Sequence, residues 1–110
     1  MHVTISEMRR VTLVEVNGRV DSTNAGKLGE ALNEQIDAGR NQLVLDLSAV
    51  EYISSAGLRE MVAAAKRVRN SNGDLRIASP SARVKEVLDL AGLNMVFQVY
   101  PTQVEAVGSY

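Results

Sequence analysis

The residues best placed to do chemistry lie around Ser54-Ser55, where a helix is predicted to begin, with Arg59 four residues on. A helix start presents exposed backbone N–H groups and the positive end of the helix dipole, so it favours an anion. A phosphate on Ser55 would be stabilised by the fold itself. At this spacing Arg59 shares a helix face with Ser55 and can pair with that phosphate. The same residues also fit a plainer role, with Ser54 or Ser55 an ordinary N-cap and Arg59 a solvated charge. Two carboxylates fall near predicted strand ends, where function collects in open α/β sheets. Asp21 follows the second strand, and Asp46-Leu47-Ser48 closes the third. As a pair they offer a weak metal site; as separate residues they are loop-capping carboxylates that shape the adjacent turns.

Composition removes most other chemistry. The chain has 110 residues, no cysteine and a single histidine. There is therefore no disulfide, no thiolate nucleophile and no zinc–cysteine site. His2 lies at a terminus, so a Ser-His-Asp triad or a multi-histidine metal site is not expected. With 12 basic and 13 acidic side chains the net charge is −1, which gives no electrostatic case for nucleic acid. Lys66, Arg67 and Arg69 cluster on one helix but have no interleaved aromatics for base stacking. Gly18, Gly26 and Gly29 match no phosphate-binding loop or dinucleotide fingerprint. No apolar run approaches the roughly 20 residues that span a bilayer, and the N-terminus lacks a signal peptide's regions. The expectation is a cytoplasmic domain with no membrane contact, no cofactor and no metal. Asp46 alone invites comparison with response-regulator receivers. That comparison lacks an acidic pair after the first strand, where Glu7-Met8-Arg9 stands, and a lysine after the last.

The elements that must position these residues follow from periodicity. Val3–Ser6 alternates apolar and polar, Arg9-Arg10 marks a turn, and Val11–Val16 is rich in β-branched residues, which together predict a hairpin ending at Asn17-Gly18. Ala25, Leu28, Leu32 and Ile36 recur at three and four, predicting an amphipathic helix near 23–38 closed by Gly39. Leu43–Leu47 is almost continuously apolar, as in a strand covered on both faces. Leu58, Met61, Val62, Ala65 and Val68 form the stripe of a second helix near 55–71. Leu75–Ala78 is a strand. Pro80-Ser81 opens a third helix whose Val84, Val87, Leu88 and Ala91 face inward, with Gly92 at its end. A last strand over Val96–Val99 and a short helix near 101–107 complete the order β-β-α-β-α-β-α-β-α. Alternating strands and helices imply an α/β fold with a mostly parallel sheet, made mixed by the opening hairpin. Length and continuity predict one domain over 1–110.

The segment from Leu43 to Leu58, with Asp46-Leu47-Ser48 and then Ser54-Ser55-Ala56-Gly57-Leu58, resembles the signature of STAS domains, the sulfate-transporter and anti-sigma-factor-antagonist domains. Gly18-Arg19-Val20-Asp21 is similar to the family's Gly-x-hydrophobic-Asp after the second strand. Leu90-Ala91-Gly92-Leu93 is similar to the small-Gly-Leu end of its third helix. The matches stand in family order along nearly the whole chain. The freestanding length resembles the bacterial anti-sigma-factor antagonists rather than a transporter tail.

That resemblance implies a STAS-like mixed sheet with about four helices and a role in partner switching. An unphosphorylated antagonist of this kind binds an anti-sigma factor that is also a serine kinase and so frees its client. Phosphorylation of the serine two positions before the motif glycine, here Ser55, dissociates the complex. A metal-dependent serine phosphatase resets it. The better-known members carry aspartate before that serine, where this chain has Ser54, which is also a second possible acceptor. The resemblance further implies that Asp21, Asp46, Ser54, Ala56, Gly57, Leu58 and Arg59 surround the phosphate or the partner contact. Leu58 and Met61, beside the site, are candidate partner anchors, although most of their stripe reads as core. The alternatives are a STAS scaffold or small-ligand sensor that is never phosphorylated, and a phosphotransfer enzyme built on a carboxylate–metal centre at Asp46.

Overall fold

The hairpin turns on two residues. Arg9 and Arg10 both take left-handed backbone angles, φ 53° and 70°, the geometry of the two-residue turns that match strand twist. This computed structural model covers residues 1–110. The turn joins β1 (His2–Met8) to β2 (Val11–Val20), with Met8 opposite Val11. His2 is the first residue of β1 and pairs with Asn17. The remaining elements are α1 (Ala25–Asp37), β3 (Gln42–Ile53), α2 (Ser55–Arg69), β4 (Asp74–Ala78), α3 (Ala82–Leu90), β5 (Val99–Tyr100) and α4 (Gln103–Gly108), with a 3₁₀ turn over Leu93–Met95.

The strands lie in the order β1-β2-β3-β4-β5, with β1 antiparallel to β2 and every later pair parallel. Each crossover thus steps one strand in the same direction, and right-handed crossovers then deliver α1, α2 and α3 to one face. The main core shows this arrangement. Leu28, Leu32, Met61, Ala65, Val84 and Leu88 from the three helices meet Val14, Leu43, Leu45, Leu47, Leu75 and Ile77 of the sheet. The reverse face has only α4, whose Ala106 covers a small cluster of Val11, Leu13, Val44 and Ala78. Leu43 to Leu47 is buried throughout because it has helices on both sides. Elsewhere on that reverse face Thr4, Ser6, Glu15 and Asn17 are exposed.

Two strands run farther than periodicity predicts. β2 continues through Gly18 to Val20, and β3 continues past Asp46 to Ile53. Register shifts between Glu15 and Asn17, and again between Gly18 and Arg19, carry the pairing beyond the apparent turn. Gly18 sits at φ 104°, a conformation that glycine alone adopts without strain. At the other edge β5 is shorter and later than expected. Val96 closes the 3₁₀ turn with helical angles, so only Val99 and Tyr100 reach the ladder. Ala91, expected to face inward, caps α3 and is exposed.

The C-terminus is fastened to the sheet. The Tyr110 hydroxyl reaches the carbonyls of Leu43 and Asp74, each at 2.7 Å. Arg76 lies over the Tyr110 ring at 4.0 Å and donates to the Ser109 carbonyl at 2.7 Å. Arg69 and Arg76 both pair with Asp74, at 2.9 and 3.2 Å. Burial alone would raise the Asp74 pKa, but hydrogen bonds from Arg69 and Arg76 outweigh it and hold the carboxyl below its ordinary value. Burial, reinforced by the Asp74 charge, pushes the Tyr110 phenol up.

Candidate functional site

The two serines have different jobs. Ser54 is the N-cap of α2, in extended conformation, and its hydroxyl accepts from the Gly57 backbone N–H at 3.2 Å. Its own N–H donates to the Val20 carbonyl at 2.8 Å, which fixes the start of α2 against the end of β2. Ser55 is the first helical residue, exposed, and its hydroxyl has no partner within the chain. One serine is therefore spent on structure and the other left free at a helix N-terminus.

Gly57 makes this arrangement possible. A side chain there would start 2.8 Å from Val20 Cγ1 and 2.9 Å from Ile53 Cγ1. The first turn of α2 can sit on the ends of β2 and β3 only because that atom is missing. Ala56 and Leu58 are half-buried and pack on the edge of the main core. Met61 is fully buried and so is not a partner anchor. Arg59 is exposed, makes no ion pair, and lines the same groove along α2 as Ser55.

Asp21 builds the neighbouring loop. Its Oδ1 accepts from the Thr23 hydroxyl at 2.6 Å, the Thr23 N–H at 2.9 Å and the Asn24 N–H at 3.2 Å. Asn24 reciprocates by accepting from the Asp21 N–H at 2.9 Å, and its amide donates to the Arg19 carbonyl at 3.0 Å. The Thr23 hydroxyl is the main reason the Asp21 carboxyl titrates below its ordinary range.

Asp46 does not join this site. The strand it was expected to close runs on to Ile53, and Asp46 points to the reverse face between inward-facing Leu45 and Leu47. It is 4% exposed. Its carboxylate accepts from the Ser48 N–H at 2.8 Å and from the Gln103 amide of α4, which also donates to Glu15 opposite it in register. The sheet thus separates Asp46 from Ser55, so neither proximity to a phosphate there nor a shared metal site with Asp21 holds. No group of three or more histidine, aspartate or glutamate side chains is arranged to hold a metal ion.

The periodicity also hid a pair at this end of the sheet. Arg19 stands opposite Tyr52 in register, with its guanidinium 4.6 Å from the ring centroid. Reading β2 as ending at Asn17-Gly18 placed Arg19 in a loop and removed its cross-strand partner from view. The alternation of Arg19 and Tyr52 with inward Val20 and Ile53 is the signal that marks the longer strands.

Comparison with known proteins agrees with this geometry: the STAS domain model matches residues 2–106. The chain belongs to the STAS domain family. Relatives of this STAS domain include BtrV of Bordetella bronchiseptica, assigned as an anti-sigma factor antagonist. It is 33% identical over 110 residues, covering 100% of this chain and 95% of BtrV. The anti-sigma-F factor antagonist RsfB of Mycobacterium tuberculosis is 28% identical over 100 residues, covering 91% of this chain and 81% of RsfB. The crystal structure of an anti-sigma factor antagonist from Mycobacterium paratuberculosis superposes with a TM-score of 0.90 at 27% identity, covering 98% of this STAS domain and 92% of that chain. No helix of this STAS domain is long and apolar enough to cross a membrane.

Proposed function

We propose that this STAS domain is an anti-sigma-factor antagonist switched at Ser55. Unphosphorylated, it binds an anti-sigma factor that is also a serine kinase and displaces that protein's client. The kinase transfers phosphate to Ser55 and the complex separates. A metal-dependent serine phosphatase restores the binding form. The antagonist supplies a surface and a hydroxyl, and its partners supply the catalysis.

The observation that carries this reading is the free, exposed Ser55 hydroxyl at the first position of α2, beside a Ser54 already committed as the cap. The relatives named as anti-sigma factor antagonists support it. Aspartate and serine are comparable N-caps, so Ser54 in place of the usual aspartate keeps the cap and removes one charge. A phosphate adds about −1.5 to −2 charges and three acceptor oxygens. At the helix start it is welcome, but inside an interface it must be desolvated, which costs several kcal/mol. That corresponds to a loss of several hundredfold or more in affinity.

The test is incubation with the cognate serine kinase and ATP, followed by mass spectrometry of the peptide containing Ser54 and Ser55. One phosphate on Ser55, abolished by Ser55→Ala, is the expected result. Phosphate on Ser54, or none at all, sinks the assignment, as does a Ser55→Asp variant that binds the kinase as tightly as wild type.

A further inference from the structure

The two edges of the sheet are built differently. β5 is two residues long, follows closely on the 3₁₀ turn and runs into Pro101, so little of it can pair with another strand. β1 has seven residues, pairs with β2 without a register shift, and has β2 as its one extensive neighbour. It contains none of the devices that guard an exposed edge: no lysine, no proline and no bulge. Its only carboxylate, Glu7, is already engaged by Arg40. Val3 packs on the main core, but Ile5, on the same helix-bearing face, is left 37% exposed. Met8 and Val11 flank the two-residue turn and so form a hydrogen-bonded pair. Alternation along the ladder then directs the backbone N–H and C=O groups of Val3, Ile5 and Glu7 away from β2.

We propose that β1 pairs antiparallel with β1 of a second copy of this chain, joining the two five-stranded sheets into one. The strand specifies its own register. A twofold axis through Thr4 sets Val3 opposite Ile5 of the second copy on the helix-bearing face, once on each side of the axis. On the reverse face Thr4 meets Thr4 and His2 meets Ser6. In this register the outward-directed groups of Val3 and Ile5 meet one another and exchange both backbone hydrogen bonds. Aliphatic and threonine pairs are favourable across strands, and no like charges stand opposite. Moving the axis to Ile5 sets Val3 against the Glu7 carboxylate, and moving it to Val3 shortens the ladder. A slip of one residue sets outward-directed groups against paired ones and aliphatic side chains against polar ones. A foreign strand would find the same free backbone groups, but the match of Val3 to Ile5 comes with a second copy. The axis stands perpendicular to the sheet, so α1, α2 and α3 of both copies lie on one face. It also reverses strand direction, so the two Ser55 residues lie at opposite ends of the joined sheet and each stays open. The pairing does not rest on the switch at Ser55.

The test combines sedimentation equilibrium with cross-linking. Wild type is expected to show a reversible monomer–dimer equilibrium that follows protein concentration. Ile5→Lys, which puts a charge on the bare edge, should weaken the dimer by about tenfold or more, with an amide spectrum that matches the wild-type monomer outside β1. The chain has no cysteine, so an introduced thiol reports register without interference. Thr4→Cys places it on the axis, where non-hydrogen-bonded partners have Cα atoms about 4.5 Å apart, within disulfide reach. Ser6→Cys places it opposite His2 and about 13 Å along the strand from its own copy, beyond that reach. On mild oxidation Thr4→Cys should give disulfide-linked dimers and Ser6→Cys should stay monomeric. A monomeric mass at every concentration overturns the proposal, as does a dimer that Ile5→Lys leaves intact or equal cross-linking of the two cysteine variants. So does a monomer whose Val3, Ile5 and Glu7 amides shift only when an alternating valine–threonine peptide of the length of β1 is added. Ser55→Asp should dimerise as wild type does. Failure of the dimer therefore leaves the Ser55 assignment standing, and failure of that assignment leaves the dimer standing.

Discussion

Ser54 and Ser55 are adjacent and chemically identical, yet their substitutions should have opposite consequences. Removing the cap with Ser54→Ala leaves the Gly57 N–H without its acceptor. The expected loss is about 1 kcal/mol, a fall in melting temperature of roughly 4–8 °C for a domain of this size. Ser54→Asp should retain the cap and the stability. Ser55→Ala removes a solvated hydroxyl and should move the melting temperature hardly at all while abolishing phosphorylation. Calorimetry on the three variants separates the roles, and equal destabilisation by the two alanine variants would contradict the division. At Gly57 even a methyl group meets Val20 and Ile53 below 3 Å. Gly57→Ala should therefore cost about 1–3 kcal/mol by overpacking, read by denaturant unfolding. The sequence alone could not say which serine capped the helix, because both types and both positions suit an N-cap. Only the backbone angles at Ser54 decide it. Asp46 was misplaced for a related reason: a carboxylate in a buried strand reads as a strand end unless its partners, Ser48 and Gln103, are known.

At the scale of elements, the helices were legible because their apolar stripes are long and regular. Ala25, Leu28, Leu32 and Ile36 are all buried, as the spacing requires. The strand ends were not legible. Gly18 and Asn17 have turn composition, yet a register shift absorbs them into β2. Val96-Phe97-Gln98 has strand composition, yet a left-handed Gly92 (φ 73°) starts a 3₁₀ turn there and postpones the strand. The hairpin turn was placed correctly but from unusual residues. Two arginines hold left-handed angles that cost about 1–2 kcal/mol per residue. Replacing them by Arg9→Asn and Arg10→Gly should stabilise the protein by about 1 kcal/mol or more in a denaturant titration, with the β1–β2 register unchanged. A second consequence concerns the C-terminal fastening. Asp74 titrates below its ordinary value in the fold. Its contribution to stability is therefore complete above about pH 4, the value for an unfolded aspartate, and is lost as pH falls through that value toward the lower folded one. Asp74→Asn should accordingly be less stable than wild type at pH 7. The difference should shrink steadily as pH falls below about 4. A gap that stayed constant over that range would mean Asp74 acts through packing and not through its charge.

For the whole molecule, the parallel order β2-β3-β4-β5 places α1, α2 and α3 on one face and leaves the reverse face to α4. Alternation of elements and the handedness of crossovers make the parallel sheet legible in the sequence, but the strand order, and with it the common face of the three helices, is seen only in the structure. That arrangement also decides what kind of switch is possible. Ser55 sits outside the core, at the first turn of a helix whose opposite side is anchored by Met61, Ala65 and Val68. A phosphate there touches neither the sheet nor the α4 cluster on the reverse face. It adds negative charge at the positive end of α2, which favours the folded state by about 0.3–1 kcal/mol at an exposed site. The fold therefore has no reason to change on phosphorylation at Ser55, and the proposed switch must act through the surface presented to the partner. The expected outcome is specific. Phosphorylated protein, or Ser55→Asp as its nearest substitute, should melt at the same temperature as wild type or a few degrees higher. Its amide spectrum should differ only around residues 53–60 and the β2–α1 loop. Binding to the kinase should nevertheless fall by several hundredfold for the phosphorylated form. Amide shifts spreading across β3 and β4, or a lower melting temperature on phosphorylation, would instead show that the phosphate acts by remodelling the domain.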